Sequence, residues 1–150
     1  HGQVASIWTA LLGVDKIIVL DDKIAKNPMM QKVFVMTAPN GVDVVFYTVE
    51  EGVEAYNKDG FGEGKFIQVF KDAATARRAY EMGYKYDELN VGGTGGSAAK
   101  KQVSRNVNLD QTDYENLKFL HDNGVHVWMQ PIPDDPVTEF DSIIKKGIFK

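Results

Sequence analysis

Lys16-Ile17-Ile18-Val19-Leu20-Asp21-Asp22 is the stretch that sets the architecture. Four consecutive apolar residues, three of them β-branched, leave this run without a polar side. A strand of that kind must be covered on both faces, which is the situation in a parallel sheet flanked by helices. The two aspartates end the run and supply a turn and a helix cap. Downstream, Met29, Met30, Val33 and Phe34 mark an amphipathic helix whose apolar side is expected in the core, and Ala38-Pro39-Asn40-Gly41 closes it. A strand over 42–48, a helix over 50–58, the glycine-rich loop 59–64, a strand over 65–70 and a helix over 73–82 follow. The strand 89–91 empties into the glycine-rich 92–97, and 102–109 alternates as one further strand of mixed direction. Asp110 caps a helix over 111–122 that stops at Gly124, and a last strand over 125–129 runs into Pro131, Pro133 and Pro136.

Strands alternating with helices predict an α/β fold, a three-layer α/β/α arrangement around an open, mostly parallel, doubly wound sheet. The 150 residues, 43% hydrophobic and 25% charged, fit one domain spanning 1–150 around a single core. A helix that opens at residue 2 leaves the sheet without its expected first strand, so the domain reads as incomplete at its amino end. The net charge of −4 argues against a nucleic-acid grip, which needs a basic face to displace counterions. Zero cysteines exclude a disulfide framework, a thiolate metal site and a thiol nucleophile, and point to an intracellular address. No apolar stretch approaches the roughly 20 residues that span a bilayer.

In a doubly wound sheet ligands sit beyond the carboxyl ends of the strands. The residues found there by sequence are Asp21 and Asp22, Thr48, Phe70 and Lys71, Asn90 through Thr94, and Gln130. His1 would join them if a strand preceded it, and it stands directly before a helix through Trp8, Leu11 and Leu12. Unpaired N–H groups and the positive end of the dipole favour a phosphoryl group at such a place. Asp21 and Asp22 are read first as a cap and its solvated neighbour. Lys100 and Lys101 are read as surface charges that meet a partner, and His121 and His126 as capping or surface histidines.

His1-Gly2-Gln3-Val4, Ile17-Ile18-Val19 with Asp21-Asp22, Ala38-Pro39, Val49-Glu50, Asn90-Val91-Gly92-Gly93 and Lys100-Lys101-Gln102-Val103 with Val107 occur in the order and spacing of a known family. Over nearly its whole length the chain resembles the IIB subunits of the mannose, fructose and sorbose family of the phosphoenolpyruvate-dependent sugar phosphotransferase system. The resemblance implies that His1 takes a phosphoryl group from a IIA subunit. It further implies transfer to a sugar delivered by the membrane IIC and IID subunits, a cytoplasmic protein held at the inner membrane face through them, and in many members a homodimer. Two departures stand out. The family's Arg-x-Asp-x-Arg segment has no counterpart before His1, and Gly92 to Ser97 replaces a stretch that usually carries a bulkier, often aromatic, residue.

The implied chemistry needs no cofactor and no metal. Phosphoryl transfer is chiefly positioning and charge stabilisation, and an imidazole with an ordinary pKa of ~6.5 has a neutral nitrogen available near pH 7. The candidate donors to the transferring oxygens are the Gly2 and Gln3 N–H groups, the Gln3 amide, the Gly92-Gly93-Thr94 loop and Lys71. Two other functions suit the same scaffold: a receiver-like domain using the Asp21-Asp22 pair with a lysine, and a non-catalytic interaction module. The strand over 42–48 ends without a carboxylate, which speaks against the receiver.

Overall fold

The Lys16–Leu20 run forms strand β1 at the centre of a three-stranded parallel sheet. The computed structural model describes residues 2–92 and 98–150, and contacts within it gather residues 1–85 and 86–150 into two compact units.

In the first unit β2 (Asp43–Tyr47) and β3 (Phe66–Phe70) lie on either side of β1 in the order β2-β1-β3, with Leu20 in register with Tyr47 and Phe70. Ile17 through Leu20 are all at most 3% exposed, as the missing polar side requires. Alternate residues serve opposite faces. Ile17 and Val19 pack with Ala5 of helix α1 (Gly2–Leu12) and Phe34 of α2 (Pro28–Thr37), joined by Val44, Phe46, Ile67 and Val69. Leu20 points the other way, against Gly52 of α3 (Val49–Asp59), and α4 (Ala73–Glu81) packs beside α3 and on β3. Helices on both faces make this unit doubly wound around a parallel sheet, the α/β class expected. The glycine-rich loop after α3 closes on the start of β1, where the Lys65 N–H donates to Asp15 Oδ2 at 2.9 Å. Gly64 there has φ +95° and lies so near Asp15 Oδ2 that a Cβ would stand 2.9 Å from it.

Turn chemistry places α1. Gly13, at φ 64°, reverses the chain and residues 13–15 lead into β1, on which α1 packs. Helix α1 therefore runs antiparallel to the strand. Eleven helical residues rise about 16 Å and five strand residues about the same, so Gly2 opens level with the carboxyl end of β1.

Helix α2 departs from expectation. Asn27 caps it through Met30 N–H, Pro28 sits in its first turn, and Phe34 meets Phe46 edge-on at 5.7 Å. Only Phe34 is buried; Met29, Met30 and Val33 are 76%, 47% and 56% exposed. The reading of these three as core is corrected: the helix lies against the sheet's β2 side and α1, and its Met29-Val33-Met36 stripe is exposed.

In the second unit β4 (Glu88–Val91) pairs in parallel with β7 (His126–Met129), and the two-residue β8 (Thr138–Glu139) adds antiparallel to β7. The segment 102–109 is not one strand. It is a hairpin of β5 (Lys101–Ser104) and β6 (Val107–Leu109), turned at Asn106, whose φ of 60° a short polar side chain tolerates. Helix α5 (Gln111–Asp122) carries the predicted Asp110 cap as a full capping box with Asp113. A further helix, α6 (Phe140–Lys146), follows the prolines and buries Phe140 and Ile143, an element the sequence reading did not include. Lys100 pairs with Asp113 at 3.5 Å and Lys101 donates to Ile148 O at 3.1 Å, so both act within this unit.

Asn90 joins the carboxyl ends of β4 and β7. Its Nδ2 donates to Gln130 O and its Oδ1 accepts from Gln130 N–H, both at 2.9 Å, while Gln130 Nε2 donates to the Pro133 and Asp135 carbonyls. Asn90→Ala strands two half-buried backbone groups and is expected to cost about 2–3 kcal/mol. Urea unfolding measures it, and an unchanged midpoint would remove the clamp from the account.

Candidate active-site rim

At the carboxyl ends of β1 and β3 the chain puts its charged residues side by side. Asp21, 7% exposed, accepts the Lys23 and Ile24 N–H groups on Oδ1 at 2.9 and 3.2 Å and so holds the turn after β1, whereas the cap of the following helix α2 is Asn27 and neither aspartate of the pair, a correction to the sequence reading. Asp22 is more than a solvated neighbour. Its Oδ1 accepts the Val49 N–H at 2.9 Å, at the opening of α3, and its Oδ2 accepts Arg78 Nη1 at 2.8 Å. The Val49 hydrogen bond first and the Arg78 guanidinium second hold this carboxyl below the usual carboxylate range. Asp72 caps α4 through the Thr75 N–H and hydroxyl, at 2.8 and 2.7 Å. Thr48, another post-strand residue, forms a capping box with Glu51.

A cleft of about 280 Å³ opens among Asp21, Asp22, Lys23, Lys71, Asp72 and Arg78. Each of its three carboxylates already accepts two hydrogen bonds from neighbouring donors, so they shape the walls instead of serving as bases. Lys23, Lys71 and Arg78 set three cations against these three carboxylates, and Arg78 is paired with Asp22. Helix α1 opens at the same rim of the β2-β1-β3 sheet, where the N–H groups of Gly2 and Gln3, in its first turn, lack intrahelical acceptors. Lys71 thus stands on the rim as expected. Gly92 directly follows β4 in the second unit. His1, Gly93 and Thr94 lie outside the described residues.

Sequence reasoning missed Arg78 and Asp72. The available signal was spacing: Lys71, Thr75 and Arg78 fall four and three apart, one helical face starting just after a strand. His121 and His126 lie in the second unit, beside a cleft of about 210 Å³ with Glu139 and Asp141. His126 Nε2 stands 2.6 Å from Glu139 Oε1, and His121 Nε2 3.5 Å from Asp141 Oδ1. Among the described residues no group of three or more histidines and acids is arranged to hold a metal.

The Asp22 contacts carry a prediction. A carboxyl whose folded pKa lies below its unfolded value adds stability that is complete above the unfolded pKa, about 3.9, and disappears as pH falls through the folded value. Asp22→Asn keeps an acceptor for Val49 but loses the charge opposite Arg78. It is expected to cost no more than about 1 kcal/mol at pH 7 and to lose less stability than the parent below about pH 4. Thermal melts across pH 2.5–7 that stay parallel for the two proteins would refute this.

The whole chain, residues 1–150, matches the family model described as "PTS system sorbose subfamily IIB component". It is 32% identical over 136 residues to the N-acetylgalactosamine-specific phosphotransferase enzyme IIB component 1 of Escherichia coli K12, covering 90% of this chain and 85% of that one. It is 30% identical over 146 residues to the PTS system mannose-specific EIIAB component of the same organism; these cover 97% of this chain and only 45% of that longer protein. The crystal structure of manxB from Thermoanaerobacter tengcongensis superposes with a TM-score of 0.89 at 28% identity, covering 99% of this chain and 90% of that one. With the match running from end to end and the fold shared, the chain belongs to the sorbose-subfamily IIB components of the sugar phosphotransferase system.

Proposed function

We propose that the protein is a phosphocarrier whose His1 relays a phosphoryl group from a IIA protein to an incoming sugar. In the first half-reaction a neutral imidazole nitrogen attacks phosphorus as the donor's bond to phosphorus breaks. In the second, a sugar hydroxyl oxygen attacks phosphorus as the P–N bond breaks, and the hydroxyl proton ends on the departing imidazole, which is regenerated neutral. Helix α1 supplies the first-turn N–H groups of Gly2 and Gln3 to the transferring oxygens. Lys71 supplies a cation. Both units together form one IIB domain, for which a single cooperative unfolding transition is the expected result.

The observation that carries this reading is the His1-Gly2-Gln3-Val4 opening, at the head of a helix that starts level with the rim bearing Lys71, in a chain matched throughout by the IIB family. The partners are IIA and the membrane subunits IIC and IID, which hold the protein at the cytoplasmic face and in large part select the sugar; a homodimer is compatible with this use. Serial docking calls for a modest interface and fast release.

The test is incubation of the full natural protein with radiolabelled phosphoenolpyruvate, the upstream relay proteins and IIA. The expected label is acid-labile and stable to alkali, as for phosphohistidine. An alkali-labile acyl phosphate would transfer the assignment to a receiver-like use of the aspartates, and absence of label would leave an interaction module.

A further inference from the structure

Asparagine followed by glycine occurs twice in the chain, at Asn40-Gly41 and at Asn123-Gly124. Glycine has no Cβ to shield its backbone nitrogen, so in such a pair that nitrogen can reach the side-chain carbonyl of the residue before it. Both pairs are exposed. Both glycines lie in the left-handed region, at φ 83° and 96°, and a Cβ on either would meet nothing within 4 Å. Hydrogen bonding separates them. Asn123 ends α5, where its Nδ2 donates to Phe119 O at 2.7 Å and the Gly124 N–H donates to His121 O at 3.1 Å, so the electrophile and the nucleophile of that pair are each tied to the helix. Asn40 and Gly41 are the two central residues of the turn from α2 to β2, closed by the Val42 N–H donating to Pro39 O at 3.2 Å. Among the described residues neither the Asn40 side chain nor the Gly41 N–H has a hydrogen-bond partner.

From this contrast we infer that Asn40-Gly41 is a site of spontaneous covalent modification, converting to aspartate and isoaspartate in the folded protein, while Asn123-Gly124 is held back from the same reaction. The Gly41 nitrogen attacks Asn40 Cγ. An N–C bond forms, the bond from Cγ to the side-chain nitrogen breaks, and the displaced amino group leaves as ammonia with the proton from Gly41. Water then adds at either carbonyl of the five-membered ring and returns a proton to the ring nitrogen. Opening at one carbonyl gives aspartate; opening at the other gives isoaspartate, whose main chain runs through the former side chain and is longer by one methylene. Either product adds a negative charge to the turn. The longer one also acts on packing, because Ala38 and Val42, on either side of the pair, pack against the cluster of Ala5, Ile17, Val19 and Phe34. Lengthening the chain between them displaces the entry into β2.

The test is incubation of the full natural protein in mildly alkaline buffer, once folded and once in urea, followed by proteolysis and mass spectrometry of the peptides that contain residues 40 and 123. In the folded protein conversion at Asn40 is expected to outrun conversion at Asn123 at least about tenfold, because two hydrogen bonds must open before Asn123 can react. In urea, which removes those bonds, the two rates are expected to converge. Asn40→Gln, whose longer side chain does not close the five-membered ring, is expected to lose the reaction at that peptide; the exposure of residue 40 lets the variant fold, which a melt verifies. Conversion at Asn123 equal to or ahead of Asn40 in the folded protein overturns the proposal, as does conversion at Asn40 in urea alone. So does a preference for Asn40 that persists undiminished in urea, since the neighbouring sequence and not the hydrogen bonds would then account for it. Conversion is read by mass without phosphoryl transfer, so its outcome is independent of the role of His1.

Discussion

Replacing His1 by alanine is expected to abolish phosphoryl incorporation, with a fall of at least about a thousandfold in the rate of transfer from IIA. Deleting the atom that forms the covalent bond removes the reaction path itself, in contrast to loss of one oxygen donor, which costs ~10²–10³. The remaining fold should be indifferent: the rim is held by Asp21, Asp22 and Asp72 through bonds that do not involve residue 1. The melting temperature of His1→Ala is therefore expected to match the parent. Lys71→Ala provides the graded comparison, with transfer slowed by one to two orders of magnitude and label still acid-labile. Equal labelling of His1→Ala and parent would end the phosphocarrier assignment, and equal rates for Lys71→Ala would remove only the lysine from the site.

Gly52→Val is expected to be the most damaging single change to the fold. A Cβ at this position would stand 2.7 Å from Leu20 Cγ and Cδ1 and 2.9 Å from Cδ2, closer than packed carbons approach. Leu20 cannot yield, since it is wholly buried on the central strand. The substitution must push α3 off the sheet, and with it the Val49 N–H that Asp22 holds. Overpacking of this kind costs about 3 kcal/mol, or roughly 6–12 °C of Tm in a domain of this size. Gly52→Ala makes the same contact but gains up to ~1 kcal/mol of helix propensity, so its loss should be smaller. A Gly52→Val protein that melts with the parent would contradict the packing of α3 on Leu20.

The sequence showed the parts of the fold that local chemistry determines. The apolar Ile17–Leu20 run could only be a covered strand, and Asp110 could be recognised as a cap because its carboxylate answers an orphan N–H group three residues on, whereas the cap read into Asp21-Asp22 falls to Asn27. What depended on distant neighbours was less visible. The period of α2 identified a two-sided helix, but which side meets the sheet is settled by Phe46, and only Phe34 reaches it. Helix α6 is seven residues long behind three prolines, too short for periodicity to register, although Phe140, Ile143 and the left-handed Gly147 at its end are its signature. The turn at Asn106 splits an alternating segment that otherwise reads as one strand. At the rim, Lys71 was found by its place after a strand. Arg78 was missed because its partner Asp22 lies 56 residues earlier, and no local pattern announces such a pair.

The brevity of β8 bears on solubility. A long, unfinished strand border offers a ladder of amide and carbonyl groups on which a neighbouring molecule can extend a sheet, the first step toward aggregation. Here β7 is finished by a strand of two residues, one of them Glu139 beside His126. So short and charged a margin gives an incoming chain almost nothing to copy, and this border of the molecule is protected against runaway growth by its own economy of length.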